Sequence, residues 1–311
     1  MDKFIILTDV TSDLNSEIRN YFSITDYVHG YVHIDDRNIK TTLDWEGISK
    51  EEFYSLLSDK RVSVSTAPAS PDEYYEKFRS YASMGYDILS ISISSKISST
   101  FSVAERSAQR VLEEYPDRKI YCFDSQRMSA SMGLLTAYAQ EMQNNGKSMD
   151  EIIVWLEENK CRIHQMGPID DLMFVARRGR ISTGKAIMGS FAGVKPMGDC
   201  NNDGYVTVLA KAKGIKKALA ATIEYVKRVG NDLENQYIFI AHSNRDEYAL
   251  KLKEQLEKSI TAKRIFITDV FSASGTNIGP GMIGVYFLGD PVSENCEAEK
   301  EALTHIFKEC F

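Results

Sequence analysis

The chain has 311 residues, 43% hydrophobic and 26% charged, and its 37 basic and 44 acidic side chains leave a net charge of −7. Such a length is a soft expectation of two domains and suffices for a core without metal or disulfide staples, while the composition excludes disordered and collagen-like classes. The acidic balance argues against broad binding to nucleic acid or to an anionic membrane, and no apolar run approaches the roughly 18 residues of a membrane span.

The opening Met-Asp-Lys, followed by only Phe4 to Leu7 before Thr8 and Asp9, does not read as a signal peptide. The five cysteines, at 122, 161, 200, 296 and 310, include no CxxC pair. They read as reduced thiols of a soluble cytoplasmic protein, not as a disulfide frame or zinc site.

In chain order, short β-branched or aromatic runs alternate with helical patterns, which predicts an α/β domain with a mostly parallel sheet flanked by helices. Phe4–Thr8, Tyr86–Ser92 and Lys119–Phe123 are the strand runs. The helical patterns are Leu14–Tyr21, Thr100–Glu114 and Ser129–Asn145, the last closed by Gly146. Residues 24–45, rich in Tyr, Val and His, read as a small antiparallel excursion. Helix Lys50–Ser58 starts from the capping box Ser49-x-x-Glu52. After helix Met149–Asn159 the character changes, and the expected division is 1–162 and 163–311. The second part is expected to be an α/β domain with a mixed sheet. It has a helix over Asp170–Arg177, a hairpin at Asn202-Asp203-Gly204, helices Lys216–Arg228 and Arg245–Ser259, and strands Tyr237–Ala241, Arg264–Val270 and Ile283–Leu288.

In an open α/β sheet, ligands bind outside the carboxyl ends of the strands. Four loops there carry hydroxyls: 9–13, 65–71, 94–100 and 124–125. Hardly any fixed cation stands among them, which suits a small anion held by hydroxyls, free backbone N–H groups and helix dipoles. Many of these residues also suit purely structural roles. Ser70 reads as an N-cap before Pro71, and Asp9 and Asp124 as loop hydrogen-bonders. Thr66 and Ser98 are not needed as caps if Ser70 and Ser99 serve, so a ligand and a structural role stay open for both.

No nucleophile elbow, P-loop or HExxH is present. His29 and His33 alone are too few for a metal site. Gly279-Pro280-Gly281-Met282-Ile283-Gly284 spells GxGxxG but runs into a strand instead of opening a helix, so it is no dinucleotide site. Two basic stretches, Arg177, Arg178, Arg180 and Lys185, then Lys211, Lys213, Lys216 and Lys217, read as solvated helix ends or as a docking face. A serine hydrolase or phosphotransferase would use Ser98 or Ser125, with Asp9 or His242 as base.

The ordered set Ile5–Leu14, Thr66-x-x-x-Ser70-Pro71, Ser94–Thr100, Phe123-Asp124-Ser125, Ser129–Gly133, Asp170-Asp171-Leu172, Arg178–Ser182, Val194-Lys195-Pro196, Asp203-Gly204, Lys216–Leu219 and Gly279-Pro280-Gly281 resembles the DegV family over essentially the whole chain. The resemblance implies a two-domain, non-catalytic carrier without a cofactor that binds a long-chain fatty acid between its domains. It implies carboxylate contacts from Thr66, Ser98, Ser94, Ser95 and Asn277, with Thr276, Gly279, Asp9 and Ser125 near the pocket mouth. It further implies that a kinase similar to dihydroxyacetone kinase takes the bound acid, with Arg178, Arg180 and Lys213 as docking residues. Asn277 stands where the family commonly has His, and Lys213 where kinase-competent members often have Arg. Asn donates a hydrogen bond but does not ionise near neutrality, and Lys lacks the bidentate fork of Arg.

Overall fold

The structure is a computed structural model that describes residues 3–181 and 193–311. The chain begins β1 (Phe4–Asp9), α1 (Ser16–Phe22), β2 (Tyr27–Val28), β3 (Gly30–Ile34), β4 (Arg37–Lys40) and α2 (Lys50–Ser58). It continues β5 (Val64–Pro68), α3 (Pro71–Ser83), β6 (Asp87–Ser92), α4 (Thr100–Glu114), β7 (Ile120–Asp124), α5 (Ala130–Asn144) and α6 (Met149–Asn159). Then follow β8 (Ile163–Pro168), α7 (Leu172–Arg177), β9 (Val194–Cys200), β10 (Val206–Lys213) and α8 (Ile215–Val229). The last elements are β11 (Tyr237–His242), α9 (Asp246–Ser259), β12 (Arg264–Asp269), α10 (Ser272–Ile278), β13 (Ile283–Leu288) and α11 (Glu297–Cys310).

The fold is α/β. β2-β1-β6-β7 form a parallel sheet, and β10-β9-β8-β13-β11-β12 a mixed one in which only β11 and β12 run parallel. Strand β1 is buried along nearly its whole length, as expected of a parallel strand covered on both faces. One face carries α3 and α4, through Tyr74, Phe78, Val103 and Val111. The other carries α5, whose Ala130, Met132, Leu134, Leu135 and Ala139 are all fully buried. A helix apolar on all sides belongs in an interior, and α5 lies in one core with Phe4 and Ile6 of β1 and Tyr237, Phe239 and Tyr286 of the mixed sheet.

Two sequence expectations are corrected. The 24–45 excursion is only partly antiparallel, because Tyr27 and Val28 pair in parallel with Thr8 and Asp9. The segment around Thr66 is not a loop after a main-sheet strand. It is β5, an edge of a separate antiparallel sheet in the order β4-β3-β5, with Thr66 opposite Val32. Helix α10 forms although its small and polar residues show no apolar period, so no local signal marks it in the sequence.

Hydrogen bonds tie the loop after β1 and helix α2 to β12 and the residues that follow it. Thr268 Oγ1 donates to Asp13 O (2.5 Å), Tyr54 OH to Val270 O (2.6 Å) and Asn15 Nδ2 to Ile267 O (2.9 Å).

Candidate functional site

A cavity of ≈ 250 Å³ lies where the C-terminal ends of β1 and β6, the edge strand β5, helix α10 and strands β8 and β13 converge. Its walls are mainly apolar and include Val10, Ile93, Ile97, Met128, Ile169 and Ile278.

Thr66, Ser98 and Asn277 all line it. Asn277 Nδ2 donates to Thr66 Oγ1 at 3.4 Å and to Ala273 O at 3.3 Å, so β5 and α10 set these two groups side by side. Ser98 Oγ shares a proton with Thr100 Oγ1 (2.8 Å) and accepts from Thr100 N (3.3 Å). Ser99 makes no side-chain cap, so Ser98 does the capping expected of Ser99. Arg180, expected only on a docking face, also lines the cavity, and its Nε donates to Ile97 O at 3.3 Å. A hydroxyl cradle without a fixed cation is therefore not what folds: one guanidinium stands beside it. Ser98 and Arg180 also border a shallow surface depression with Ser95 and Lys96, which marks the cavity's outer end.

Asp9 lines the cavity and braces it. Its carboxylate accepts from Thr11 N (2.8 Å), the Thr11 hydroxyl and Ile93 N (3.0 Å), joining the loops after β1 and β6. Burial raises its pKa against the pull of those three bonds. Asp13 is fully buried and accepts from Ser129 Oγ (2.5 Å) and Phe271 N (2.9 Å). Burial drives its carboxyl up to about 8 despite these donors. His29 borders the same space with Nδ1 2.8 Å from Thr41 O, and burial lowers its pKa.

The other expected site residues lie off the lining. Ser94 is fully buried, and its Oγ accepts from Lys96 N at 3.3 Å. Ser95 is exposed on the outer depression. Ser125 is buried against the backbone of Arg127. Thr276 back-bonds to Ser272 O (2.8 Å) within its own helix. Gly279 ends α10 at φ +76°, where an added Cβ would stand 2.9 Å from the Phe174 ring. Its conformation and the close ring explain the glycine without any ligand.

Arg178 donates to Val64 O (2.7 Å) and stacks over Phe174, while the exposed Lys213 lies elsewhere. Val206, whose N–H meets Arg180 O at 3.3 Å, opens β10, and Lys213 closes it seven residues on, roughly 24 Å away at ~3.4 Å per residue. Lys185 lies outside the described residues.

Among the described residues, metal-type ligands converge at His242, Asp246 and Asp269. There Lys50 Nζ already sits 2.5 Å from Asp246 and 3.1 Å from Asp269. Neither serine considered as a nucleophile is bonded to Asp9 or His242. Ser98 is engaged by Thr100 and Ser125 by Arg127, whereas His242 Nδ1 accepts from Arg245 N at 3.2 Å.

The family model described as "Uncharacterised protein, DegV family" matches residues 3–290. A DegV domain-containing protein of Clostridium perfringens is 35% identical over 291 residues, covering 93% of this chain and 99% of that one. The chain belongs to the DegV family. Its fold matches a DegV family protein of Thermus thermophilus described by its fatty acid binding (TM-score 0.82, 24% identity, 92% and 99% coverage). It likewise matches one from Ruminococcus gnavus refined with vaccenic acid (0.81, 22%, 91% and 99%). A third match is a stearic-acid-binding protein of Eubacterium ventriosum (0.79, 20%, 92% and 98%). No helix among the described residues is long and apolar enough to cross a membrane.

Proposed function

We propose that this protein binds a long-chain fatty acid without transforming it. The carboxylate sits at Thr66, Ser98 and Asn277, and the acyl chain lies in the cavity between the two sheets. The observation that carries the reading is one continuous cavity, with a hydroxyl, amide and guanidinium end and walls that are otherwise mostly apolar. A fatty acid is ionised at neutral pH, since its carboxyl resembles a Glu side chain. Each donor to it contributes roughly 1.5–3 kcal/mol, and the N-terminus of the long helix α4 adds favourable dipole. Burying about fifteen methylenes at ~0.8 kcal/mol each yields on the order of 12 kcal/mol gross, less several kcal/mol for freezing the chain. The tail supplies most of the affinity and the polar end selects an acid over an ester. The solved DegV relatives described with vaccenic or stearic acid support the same reading.

Thr66→Val combined with Ser98→Ala is expected to weaken fatty-acid binding about ten-fold or more. Native mass spectrometry and lipid extraction of the purified protein measure it, with melting controls because Ser98 also caps α4. Full occupancy in a folded double variant would remove these two hydroxyls from the head-group role. The engaged state of Ser98 and Ser125 favours a carrier over a serine hydrolase.

The five unpaired cysteines suit a reducing cytoplasm. There a kinase similar to dihydroxyacetone kinase reaches the acid at the cavity's outer end, guided by Arg178 and Arg180, with Lys213 as a separate patch.

A further inference from the structure

The cavity carries a second polar point that the head group does not use. Gln165 and Tyr286 both line it, and they are direct partners across β8 and β13. Helix α10 relates this point to the mouth. Asp13, bonded to Ser129, meets Phe271 N at one end of that helix, and Asn277, bonded to Thr66, stands six residues on. At 1.5 Å rise per residue Phe271 and Asn277 lie about 9 Å apart, so the Asp13–Ser129 pair beside Tyr286 and the Thr66–Asn277 pair belong to opposite ends of that helix.

Both side chains keep hydrogen-bonding capacity at this inner point. Ser131 Oγ accepts from Met128 N (3.1 Å), and its proton faces two acceptors, Met128 O (2.5 Å) and Gln165 Oε1 (2.9 Å). The Gln165 amide is thus engaged at Oε1, which leaves Nε2 as an open donor. Whichever way the amide is turned, one of its two polar atoms has no partner among the described residues. Tyr286 lies against the Ser129 hydroxyl, which is itself bonded to Asp13. That leaves the phenol at the cavity end of a short chain of hydroxyl contacts. A purely hydrocarbon tail laid along this wall strips water from both groups and returns nothing to them.

We infer that the inner wall recognises an oxygen-bearing acyl chain, a fatty acid with a hydroxyl or keto group partway along its tail, opposite Gln165 and Tyr286. The inference rests on the fatty-acid reading and narrows its ligand class. An oxygen at that point accepts from the open amide N–H, and an alcohol also donates to the phenol oxygen, whereas a plain chain does neither.

The test is competition against a fluorescent fatty acid on the full-length protein. The competitors are stearic acid and a series of hydroxystearic acids with the hydroxyl moved carbon by carbon through mid-chain. At least one positional isomer is expected to bind about five-fold or more tightly than stearic acid, the equivalent of one recovered buried hydrogen bond. Gln165→Met, similar in length but apolar, should invert that order, and Tyr286→Phe should shrink it. Stearic acid matching or beating every isomer on the wild type overturns the inference and leaves fatty-acid binding standing. So does a preference that survives both substitutions. If neither plain nor hydroxylated acids bind, the fatty-acid reading falls and takes this one with it. The wild-type ranking decides the matter should either variant fail to fold.

Discussion

Asp13 is a carboxyl that the fold removes from water entirely, and its titration has a consequence for stability. Its ordinary value is 3.8, and burial lifts it to about 8 in the native protein. The native state therefore holds this proton more tightly than the unfolded chain does. The contribution is full below about pH 4 and is lost as pH rises toward 8. Asp13→Asn removes the titration while keeping an acceptor for Phe271 N. The melting-temperature difference between this variant and the wild type should shift in the variant's favour from pH 4 to pH 8, and a flat difference would show that Asp13 is not the group responsible. At this scale the sequence shows the hydroxyl-rich loops and singles out Thr66, Ser98 and Asn277, all of which line the cavity. It does not show Gln165, Tyr286 or Arg180 as wall residues, because each arrives from a strand or loop whose neighbours in space are remote in sequence. Nor does residue type distinguish Ser94 and Ser125, whose hydroxyls turn to nearby backbone.

Among the elements, α5 is buried along most of its length, and one glycine shows how closely it is packed. A Cβ on Gly133 would stand 2.4 Å from Ser12 O and 3.0 Å from Leu14 Cδ2. In an exposed helix, glycine to alanine stabilises by up to ~1 kcal/mol. Here the clash is with backbone, which does not rotate away, and overpacking costs typically 1–3 kcal/mol. Gly133→Ala is therefore expected to destabilise, and urea unfolding reads the sign directly; a gain in stability would mean that the loop before α1 yields. Elements with strong local signals were legible. Helices α2, α4 and α6 and strand β13 have the bounds their periodicity and caps predict, and Ser49, Ser70 and Ser148 all cap through their side chains. What stayed hidden is what tertiary context imposes. Ser272–Ile278 is helical because it fits between α2, β3 and β5, and 64–68 becomes a strand because β3 offers it an edge.

For the whole molecule, the two large sheets share one core. Phe22 of α1 meets Tyr237 and Phe266 edge-on or tilted at 4.8 and 5.9 Å, and Tyr237 also faces Tyr138 of α5 at 5.7 Å. These aromatic pairs pack α1 and α5 of the N-terminal half against the mixed sheet. On the proposed reading, the outer end is where a partner would meet the bound acid. Because Arg178 and Arg180 stand there and Lys213 lies roughly 24 Å away along β10 at ~3.4 Å per residue, reversing the two arginines and reversing the lysine are separate experiments. Capture of a fatty acid kinase should weaken with salt and with Arg178→Glu. Capture indifferent to both would move docking to another face.

Trp45 bridges the molecule. Its indole N–H donates to Asp269 at 3.0 Å, and its ring lies 5.1 Å from that of Phe271, at the N-cap of the helix that walls the cavity. The protein thus carries its own fluorophore beside the helix that walls the cavity. With Trp155→Phe to silence the second of its 2 tryptophans, the emission of Trp45 becomes an unlabelled optical record of filling and emptying. A signal that stays constant while mass spectrometry registers uptake would show α10 to be rigid throughout.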